Sequence, residues 1–234
     1  MSEFFDCEVL SIQQLSPTVR HFRLCYPMSS TFQAGQFVML DLPIEADFST
    51  RSYSIASEPN SEGIIELCIV LKEDGAGTRY IFDSIKTGDK LKVSEPQGKF
   101  VIADEEKGLV MICTGTGVAP FRSMIRDLVT KHGSLPHPVY LIFGNRFKQD
   151  ILYAAEWKAL METDSNFHFI PVLSRDTDWE GARGYVHAFY MPVALENKEY
   201  HYYLCGWTSM VREAKNKLKE LGYSRKQLKF ELYD

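Results

Sequence analysis

The chain has 234 residues, of which 45% are hydrophobic and 24% are charged, so it can form an ordinary globular protein of two modest domains. Its net charge is −5, because residues 1–103 carry nine Lys and Arg against fourteen Asp and Glu, while residues 104–234 carry seventeen of each. Neither part has the basic excess of a nucleic-acid-binding domain, and we exclude that class.

The five cysteines are odd in number, scattered along the chain, and show no C-x-x-C spacing. This pattern argues against a disulfide framework, a zinc site or an iron–sulfur cluster, and it favours a reducing compartment. The amino terminus lacks the basic and apolar regions of a secretion signal, and no apolar run approaches the ~20 residues that span a bilayer. We therefore expect a soluble cytoplasmic protein without a bound metal.

Residues 1–103 are dominated by short runs with the alternating pattern of half-buried strands, separated by turn signals such as Ser16-Pro17. Six strands at this spacing predict a closed antiparallel β-barrel, which we expect to form a first domain over 1–103. One helix is predicted between the strands at 78–85, with Thr78 as its N-cap. The predicted strands cover 6–13, 19–25, 36–42, 51–57, 64–71 and 90–94.

The fourth of these strands carries an unusual set of side chains, Arg51-Ser52-Tyr53-Ser54-Ile55-Ala56-Ser57. Arg51 could neutralise a diphosphate, Tyr53 could lie flat on a fused ring, and Ser54 could hydrogen-bond a ring nitrogen. Strand alternation places Arg51 and Tyr53 on one face and Ser54 on the other, so the strand must bend before Ser54 can work beside Tyr53. The alternative is a half-buried strand with a surface arginine.

A second candidate for anion binding is the segment Asp74-Gly75-Ala76-Gly77, directly before the predicted helix at Thr78. Its glycines let backbone N–H groups crowd around an anion, and the start of a helix adds positive potential. A diphosphate facing Arg51 would fit there. The alternative for this loop is a plain flexible turn.

After the polar segment 104–107, strands alternate with helices. This alternation predicts a second domain over 104–234 with a doubly wound parallel sheet, whose ligands lie beyond the carboxyl ends of the strands. The predicted strands cover 109–113, 139–143, 167–173, 201–205 and 228–233. The predicted helices cover 120–131, 150–163, a short stretch after Tyr185, and 210–221.

Two loops follow strands at that carboxyl edge. The first is Thr114-Gly115-Thr116-Gly117-Val118-Ala119-Pro120, in which the proline suits a first helical turn. Its glycines permit a close approach to phosphate, although G-x-G-x-x-P departs from the usual G-x-G-x-x-G fingerprint. The second loop is Cys205-Gly206-Trp207-Thr208-Ser209-Met210. As isolated motifs, both could be ordinary strand-to-helix turns.

In their order and spacing these motifs resemble those of the ferredoxin–NADP reductase family, and the resemblance covers nearly the whole chain. Residues 51–54 are similar to the flavin strand R-x-Y-S, and residues 115–120 are similar to the nucleotide loop G-T-G-V-A-P. Residues 205–210 resemble C-G-x-x-x-M, with Trp207 where proline is common. The ending Phe230-Glu231-Leu232-Tyr233 resembles the plant-type E-V-Y, although Asp234 follows the tyrosine here.

The resemblance implies bound FAD and a nicotinamide nucleotide, NADP(H), with NADH possible. It implies that Ser54 hydrogen-bonds the flavin nitrogen that receives hydride, and that Glu231 relays a proton. Cys205 would pack against the nicotinamide carbon that gives up hydride, and Tyr233 would cover the flavin until nicotinamide enters. The implied flavin contacts are Arg51, Ser52, Tyr53, Ser54, Gly75, Gly77, Thr78 and Tyr233. The implied nucleotide contacts are Thr114, Gly115, Thr116, Gly117, Pro120, Cys205, Gly206 and Met210.

The candidates for the 2′-phosphate of the nucleotide lie after the strand 167–173. They resemble the plant-type S-R…K-x-Y set and are Ser174, Arg175, Arg183 (in place of lysine) and Tyr185. Two guanidiniums, a hydroxyl and an aromatic ring suit a phosphate and an adenine. A solvated polar loop is the alternative, because relatives that use NADH can also carry arginine here, and Asp176 and Asp178 follow closely.

The resemblance therefore implies an oxidoreductase that passes hydride from NADPH to FAD and electrons to a separate acceptor, such as ferredoxin, flavodoxin or another oxidant. One alternative is an NAD(P)H–flavin reductase that releases free reduced flavin. Another is a non-catalytic flavin- or nucleotide-binding regulatory subunit. The complete set of Ser54, Cys205, Glu231 and Tyr233 favours an enzyme.

Overall fold

The computed structural model describes residues 3–27, 31–44 and 49–233, so Asp234 lies outside the described part. Contacts divide the chain into two units. The first comprises Met1–Val101 together with Ala119–Asp127, and the second comprises Ile102–Val118 together with Leu128–Asp234. Among the helices of the described residues, none is long and apolar enough to cross a membrane.

The first unit contains the predicted antiparallel barrel. Its six strands are ordered β4-β3-β6-β1-β2-β5, and every neighbouring pair is antiparallel. Beyond β4, Ile55 forms a bridge with Leu67 of β5, so the two edge strands meet and the sheet closes. The elements are β1 (Phe4–Ser16), β2 (Val19–Cys25), β3 (Phe37–Asp41), β4 (Thr50–Ser54), β5 (Ile64–Val70), α1 (Ala76–Ser84) and β6 (Lys90–Ser94).

Alternating apolar residues of these strands fill the barrel. Val9, Phe22, Leu40, Leu67 and Val93 come from five different strands, and each is completely buried. Burial of one such side chain stabilises the fold by about 1.5–3 kcal/mol. The period-two pattern that predicted the strands is therefore the pattern of the core.

The strand that carries Ser54 is shorter than predicted, because it changes its partner. Up to Ser54 the chain pairs with β3. The amide of Ile55 still donates to Gln36 O at 2.9 Å, but the amide of Ala56 donates to Glu66 O of β5 at 2.7 Å. The expected bend at Ser54 is thus the point where the barrel closes, and β4 ends there instead of at residue 57.

The prediction that Thr78 is the N-cap of α1 is wrong. The helix begins at Ala76, and Gly75 is its N-cap. The Thr78 hydroxyl instead accepts a hydrogen bond from the Lys72 amide at 3.0 Å and so closes the loop before the helix. A threonine inside the first turn can bond backward to a loop, which the sequence pattern does not distinguish from capping.

The second unit contains the predicted parallel sheet, with strand order β10-β9-β8-β7-β11-β12 and every neighbouring pair parallel. Its elements, with the helix that follows β7, are β7 (Leu109–Thr114), α2 (Ala119–His132), β8 (Val139–Asn145), α3 (Ala154–Thr163), β9 (Phe167–Leu173), β10 (Ala182–Arg183), α4 (His187–Glu196), β11 (His201–Trp207), α5 (Thr208–Glu220) and β12 (Leu228–Tyr233). Residues Ala119–Asp127 of α2 belong to the first unit.

In the second unit, the starts of two helices differ by two or more residues from the predicted ones, and one strand was not predicted. α3 begins at Ala154 instead of 150, because Tyr153 adopts a left-handed backbone with φ of 59° that ends the preceding turn. α5 begins at Thr208, two residues earlier than predicted. The strand β10 was not predicted, because two residues are too few to show a period.

The strand order places a topological switch point between β7 and β11. From β7 the chain continues to β8 on one side, and from β11 it continues to β12 on the other side. Connections that leave in opposite directions open a crevice at the carboxyl ends of the two central strands, where open parallel sheets bind ligands. Both predicted nucleotide loops begin at this crevice.

A buried ion cluster links β5 to the part of α2 that belongs to the first unit. Arg122, which is 5% exposed, donates from one Nη to Glu66 Oε2 at 2.6 Å and to Ala56 O at 2.9 Å. His21 and Arg23 of β2 lie 3.7 and 3.4 Å from the same carboxylate. Burial raises the pKa of Glu66, but hydrogen bonds from His21 and Arg122 and their positive charge outweigh it and lower the pKa to about 2.

We expect Glu66→Gln to destabilise the protein by about 3–5 kcal/mol at pH 7, because it leaves Arg122 buried without its counter-ion. The carboxylate stabilises the fold above its unfolded pKa of 4.5, and this contribution is lost as the pH falls toward 2. The free energy of unfolding of the variant, measured by urea titration between about pH 7 and 3, should therefore depend less on pH.

The matched control is Glu58→Gln. The Glu58 carboxylate accepts hydrogen bonds at 2.5 and 2.9 Å from Arg126, which lies on α2 like Arg122. The pair of Arg126 and Glu58 is more exposed than the pair of Arg122 and Glu66. The loss of stability in Glu58→Gln should be smaller than that in Glu66→Gln, because Arg126 is more exposed than Arg122 and water can solvate it when its partner is removed. Equal losses in the two variants would contradict a special role for Glu66.

Candidate functional site

In the first unit, Arg51 lies across the start of α1. No side chain of the described residues caps this helix. A Cβ on Gly77 would lie 3.2 Å from Arg51 Cγ and 3.5 Å from its Nε, so the missing side chain makes room for the arginine. The guanidinium also donates to Thr50 O at 2.8 Å. Uncapped N–H groups and a guanidinium side by side form a site for an anion such as a diphosphate.

Tyr53 and Ser54 follow Arg51 on β4 with different exposure. Tyr53 is half-buried, and burial raises its pKa to about 12 although the charge of Arg51 acts in the opposite direction. The phenol therefore stays neutral and presents an aromatic ring beside the anion site. Ser54 is 5% exposed, whereas Ser52, on the same face of the strand by alternation, is exposed.

In the second unit, the two loops of the switch point touch through their backbones. A Cβ on Gly117 would lie 2.5 Å from Cys205 O and 2.9 Å from Gly206 N, so only glycine permits this approach. Gly206 has a φ of +131°, and a Cβ there would lie 2.3 Å from the Thr114 hydroxyl. The glycines of both motifs are therefore required to pack one loop against the other.

The remaining residues of these loops divide into two groups. Thr114 accepts a hydrogen bond from the Trp207 amide at 3.0 Å, and Pro120 and Met210 are buried. The bond to Thr114 ties one loop to the other. Gly115 and Thr116 are only partly buried, and the space around the Gly115 Cα is open, so this part of the loop can face a ligand.

Cys205, Glu231 and Tyr233 come together at the ends of β11 and β12. Cys205 lies opposite Glu231 in the strand register, and the Tyr233 hydroxyl hydrogen-bonds the Cys205 sulfur. Burial raises the pKa of the Cys205 thiol well above its usual value, and the charge of Glu231 adds to this effect. The thiol is neutral at physiological pH, so it can pack against a ring but is a poor nucleophile.

The 2′-phosphate candidates lie on the loop after β9, at the end of β10 and directly after β10. Ser174 donates from its amide and its hydroxyl to Asn145 O, at 3.0 and 3.3 Å. Arg183 donates to Trp179 O at 2.5 Å and to Thr177 O at 2.9 Å, so two of its N–H groups hold its own loop. Tyr185 is 75% exposed, as a stacking residue would be before adenine binds.

The contacts of Asp176 do not favour a role as the hydrogen-bond partner of a nucleotide ribose. One of its carboxylate oxygens accepts from the Lys148 amide at 2.9 Å, and the other accepts from the Asp178 amide at 3.2 Å. The carboxylate thus ties the loop after β9 to the turn after β8. Arg175 lies at the same edge, where its amide donates to Arg146 O at 3.0 Å.

Sequence reasoning missed two groups of residues. Arg146 lies over the Trp207 ring, with 5.7 Å from the guanidinium carbon to the ring centroid, at the carboxyl edge of the sheet. The carboxyl-edge rule applied to β8 could have identified it. Arg122 and Ser123 bond to the segment after Ser54, and no local pattern indicates this, because the contacts join residues 66 positions apart.

The residues of each unit fit the group that the motifs predict. The arginine and helix start of the first unit suit a diphosphate, and the neutral Tyr53 ring suits an aromatic ring system. The switch-point loops of the second unit suit a dinucleotide. Of the four predicted catalytic residues, Cys205, Glu231 and Tyr233 are together in the second unit, and Ser54 belongs to the first. The described residues contain no cluster of His, Cys, Asp and Glu that could hold a metal ion.

Comparison with protein families gives two matches that cover most of the chain. Residues 6–102 match the oxidoreductase FAD-binding domain, and residues 111–216 match the oxidoreductase NAD-binding domain.

Comparison with individual proteins agrees with these two domain matches. The chain is 33% identical to ferredoxin–NADP reductase B of Sorangium cellulosum over 100% of this chain and 99% of that protein. It is also 33% identical to the phenol hydroxylase P5 protein of Acinetobacter pittii, of which it spans 60%. A ferredoxin–NADP⁺ reductase of Neisseria gonorrhoeae, solved with FAD and NADP, superposes with a TM-score of 0.85 at 25% identity, covering 99% of both chains.

Three findings lead to one assignment. They are a barrel with a candidate anion site beside an aromatic ring, a parallel sheet with glycine loops at its switch point, and the two domain matches. The chain belongs to the ferredoxin–NADP reductase-like family of oxidoreductases, which bind FAD and a nicotinamide nucleotide and transfer electrons from NAD(P)H to FAD.

Proposed function

We propose that this protein takes hydride from NADPH and passes the electrons singly to a separate protein acceptor, a ferredoxin or flavodoxin. Residues 1–103 bind FAD and residues 104–234 bind NADPH. The observation that carries the proposal is the cluster of Cys205, Glu231 and Tyr233 at the switch-point edge, where a nicotinamide nucleotide binds. None of the five cysteines, all of which lie in the described part of the chain, forms a disulfide, which supports a reducing compartment such as the cytoplasm.

Arg51 and the start of α1 hold the flavin diphosphate, and the ring of Tyr53 packs on the flavin. Bound FAD supplies the change from two-electron hydride chemistry to one-electron transfer. Ser54 donates a hydrogen bond at the flavin nitrogen, and Glu231 is the group that relays a proton. The neutral thiol of Cys205 packs on the nicotinamide without competing as a nucleophile, and Tyr233 excludes water until the nucleotide displaces it.

We expect Ser54→Ala and Glu231→Gln each to slow flavin reduction by NADPH about ten- to a thousandfold while FAD stays bound, in the range of proton-handling groups. Stopped-flow absorbance at the flavin bands measures the rate. Ser84→Ala and Glu220→Gln, which change exposed residues at the ends of α1 and α5, are the controls and should react like the unmutated protein. Unchanged rates in both test variants would remove these residues from the reaction.

The preference for NADPH over NADH follows from the charges after β9. Arg175 and Arg183 supply two guanidiniums, and Asp176 is occupied by the backbone amides of Lys148 and Asp178. Each charge-assisted contact with a 2′-phosphate contributes about 1.5–3 kcal/mol, which implies a preference on the order of a hundredfold or more.

We expect Arg175→Ala to erode this preference mainly by raising the Michaelis constant for NADPH, with little change for NADH. Arg183→Ala should raise it less, because two donors of Arg183 already hold its loop. Arg225→Ala, which removes an exposed arginine before β12, is the charge-matched control. If the unmutated protein uses NADH as readily as NADPH, the phosphate-site assignment is wrong.

A protein acceptor is supported by a basic stripe on α5. Arg212, Lys215 and Lys219 recur at the spacing of one helix side, and none of the three forms an ion pair within the described part of the chain. The Lys215 ammonium lies 4.2 Å from the centroid of the Phe230 ring on β12, and Phe230 and Leu232 are exposed. An apolar centre with a cationic rim suits an acidic protein, although residues 1–103 carry a net charge of −5.

We expect reduction of an acidic [2Fe–2S] ferredoxin to slow as KCl is raised from about 50 to 300 mM, because salt screens such contacts. Lys215→Glu with Lys219→Glu should slow it about tenfold at low salt, with ferricyanide reduction unchanged. Lys90→Glu on the barrel is the control. Salt-independent rates that do not exceed those with free flavin would favour the flavin reductase alternative.

A further inference from the structure

Two side chains of α2 bind the backbone directly after Ser54. Arg122 donates to Ala56 O at 2.9 Å, and the Ser123 hydroxyl donates to Ser57 O at 2.6 Å. Arg122 is 5% exposed and Ser123 is completely buried. These bonds fall within the first unit, which contains Ala119–Asp127 of α2.

The same short segment is held from its other side by β5. The Ala56 amide donates to Glu66 O at 2.7 Å, and the Glu66 amide donates to the Ser57 hydroxyl at 3.1 Å. Glu66 in turn accepts from Arg122 at 2.6 Å. The backbone after Ser54 is therefore fixed by a closed set of hydrogen bonds in which Arg122 takes part twice.

This anchoring matters because β4 ends at Ser54. Before Ser54 the strand is aligned by its pairing with β3, but beyond Ile55 that pairing has ended. The direction in which the chain leaves Ser54 depends on where the carbonyls of Ala56 and Ser57 are held. A shift of that segment would move the Ser54 hydroxyl, and displacements near 1 Å can reduce a rate about a hundredfold.

We propose that Arg122, with Ser123, is a positioning residue for the flavin reaction, because it fixes the backbone that aims the Ser54 hydroxyl at the flavin. The proposal rests on the proposed role of Ser54 in flavin reduction. Arg122 touches neither cofactor nor substrate in this role and acts through the strand alone. One of its Nη atoms makes both contacts, so the ammonium of a lysine can replace it in part.

The test compares Arg122→Met, Arg122→Lys and Ser123→Ala with Arg126→Met, all as purified FAD-bound protein. Arg126 lies one turn further along α2, and its partner Glu58 is a side chain four residues after Ser54. We expect Arg122→Met to slow flavin reduction at saturating NADPH about ten- to a hundredfold. Arg122→Lys should recover most of the rate, and Ser123→Ala should slow it by a smaller factor.

Three readouts separate positioning from lost stability. The visible absorption and fluorescence of bound FAD should shift in Arg122→Met and Ser123→Ala, but stay unchanged in Arg126→Met. Thermal midpoints should fall in both arginine variants. In a double-mutant cycle, Arg122→Met should slow Ser54→Ala little further, because residues that act as a unit are not additive.

Equal rates and identical flavin spectra in Arg122→Met and Arg126→Met would overturn the proposal, and so would an additive cycle with Ser54→Ala. The proposed function has its own test, because it is wrong if NADPH does not reduce the FAD of the unmutated protein. The flavin spectra still test the position of the strand in that case, because they require no turnover. Ser123→Ala removes no charge, so it provides the comparison if Arg122→Met does not fold.

Discussion

The hydrogen bonds of Arg122 to Glu66 and to the Ala56 carbonyl are the constraint that holds the chain where β4 ends. A buried ion pair is weak evidence for stability, because desolvation of two charges offsets most of their attraction. Here the arginine has a second bond to a backbone carbonyl, and the carboxylate is also approached by His21 and Arg23. The cluster therefore specifies a position of the chain at the point where the barrel closes.

A different constraint shapes the second unit, where the two glycine loops approach without side chains between them. Gly117 packs on the Cys205 carbonyl, and Gly206 packs on the Thr114 hydroxyl. This approach brings the end of β7 to the end of β11, next to Cys205. The motifs that suggest phosphate binding thus also hold the thiol at the edge of the sheet.

The electrostatic environment of each candidate residue agrees with its proposed task. Burial keeps the Cys205 thiol and the Tyr53 phenol neutral, so both can pack against rings. Positive charge is concentrated where an anion would bind, at Arg51 beside the start of α1 and at the arginines after β8 and β9. The acidic excess lies in the first part of the chain, because residues 1–103 carry a net charge of −5.

The sequence by itself determined the fold class and the position of the two glycine loops at the carboxyl edge of the parallel sheet. A period of two in the first part, and strand–helix alternation in the second, predict a barrel and a parallel sheet because these periods report which face of each element is buried. Short motifs such as G-T-G-V-A-P and C-G marked the carboxyl edge correctly, because a chain that turns sharply from strand to helix needs glycine locally.

Only the tertiary structure decided the features that depend on distant residues. The cap of α1 was misassigned because the Thr78 hydroxyl turns to Lys72. The start of α3 shifted because Tyr153 takes a left-handed backbone that the pattern does not show. The contacts of Arg122 with Ala56, and of Arg146 with Trp207, join segments 66 and 61 positions apart. Local periodicity carries no information about such pairs, since they exist only when the sheets and helices have been packed.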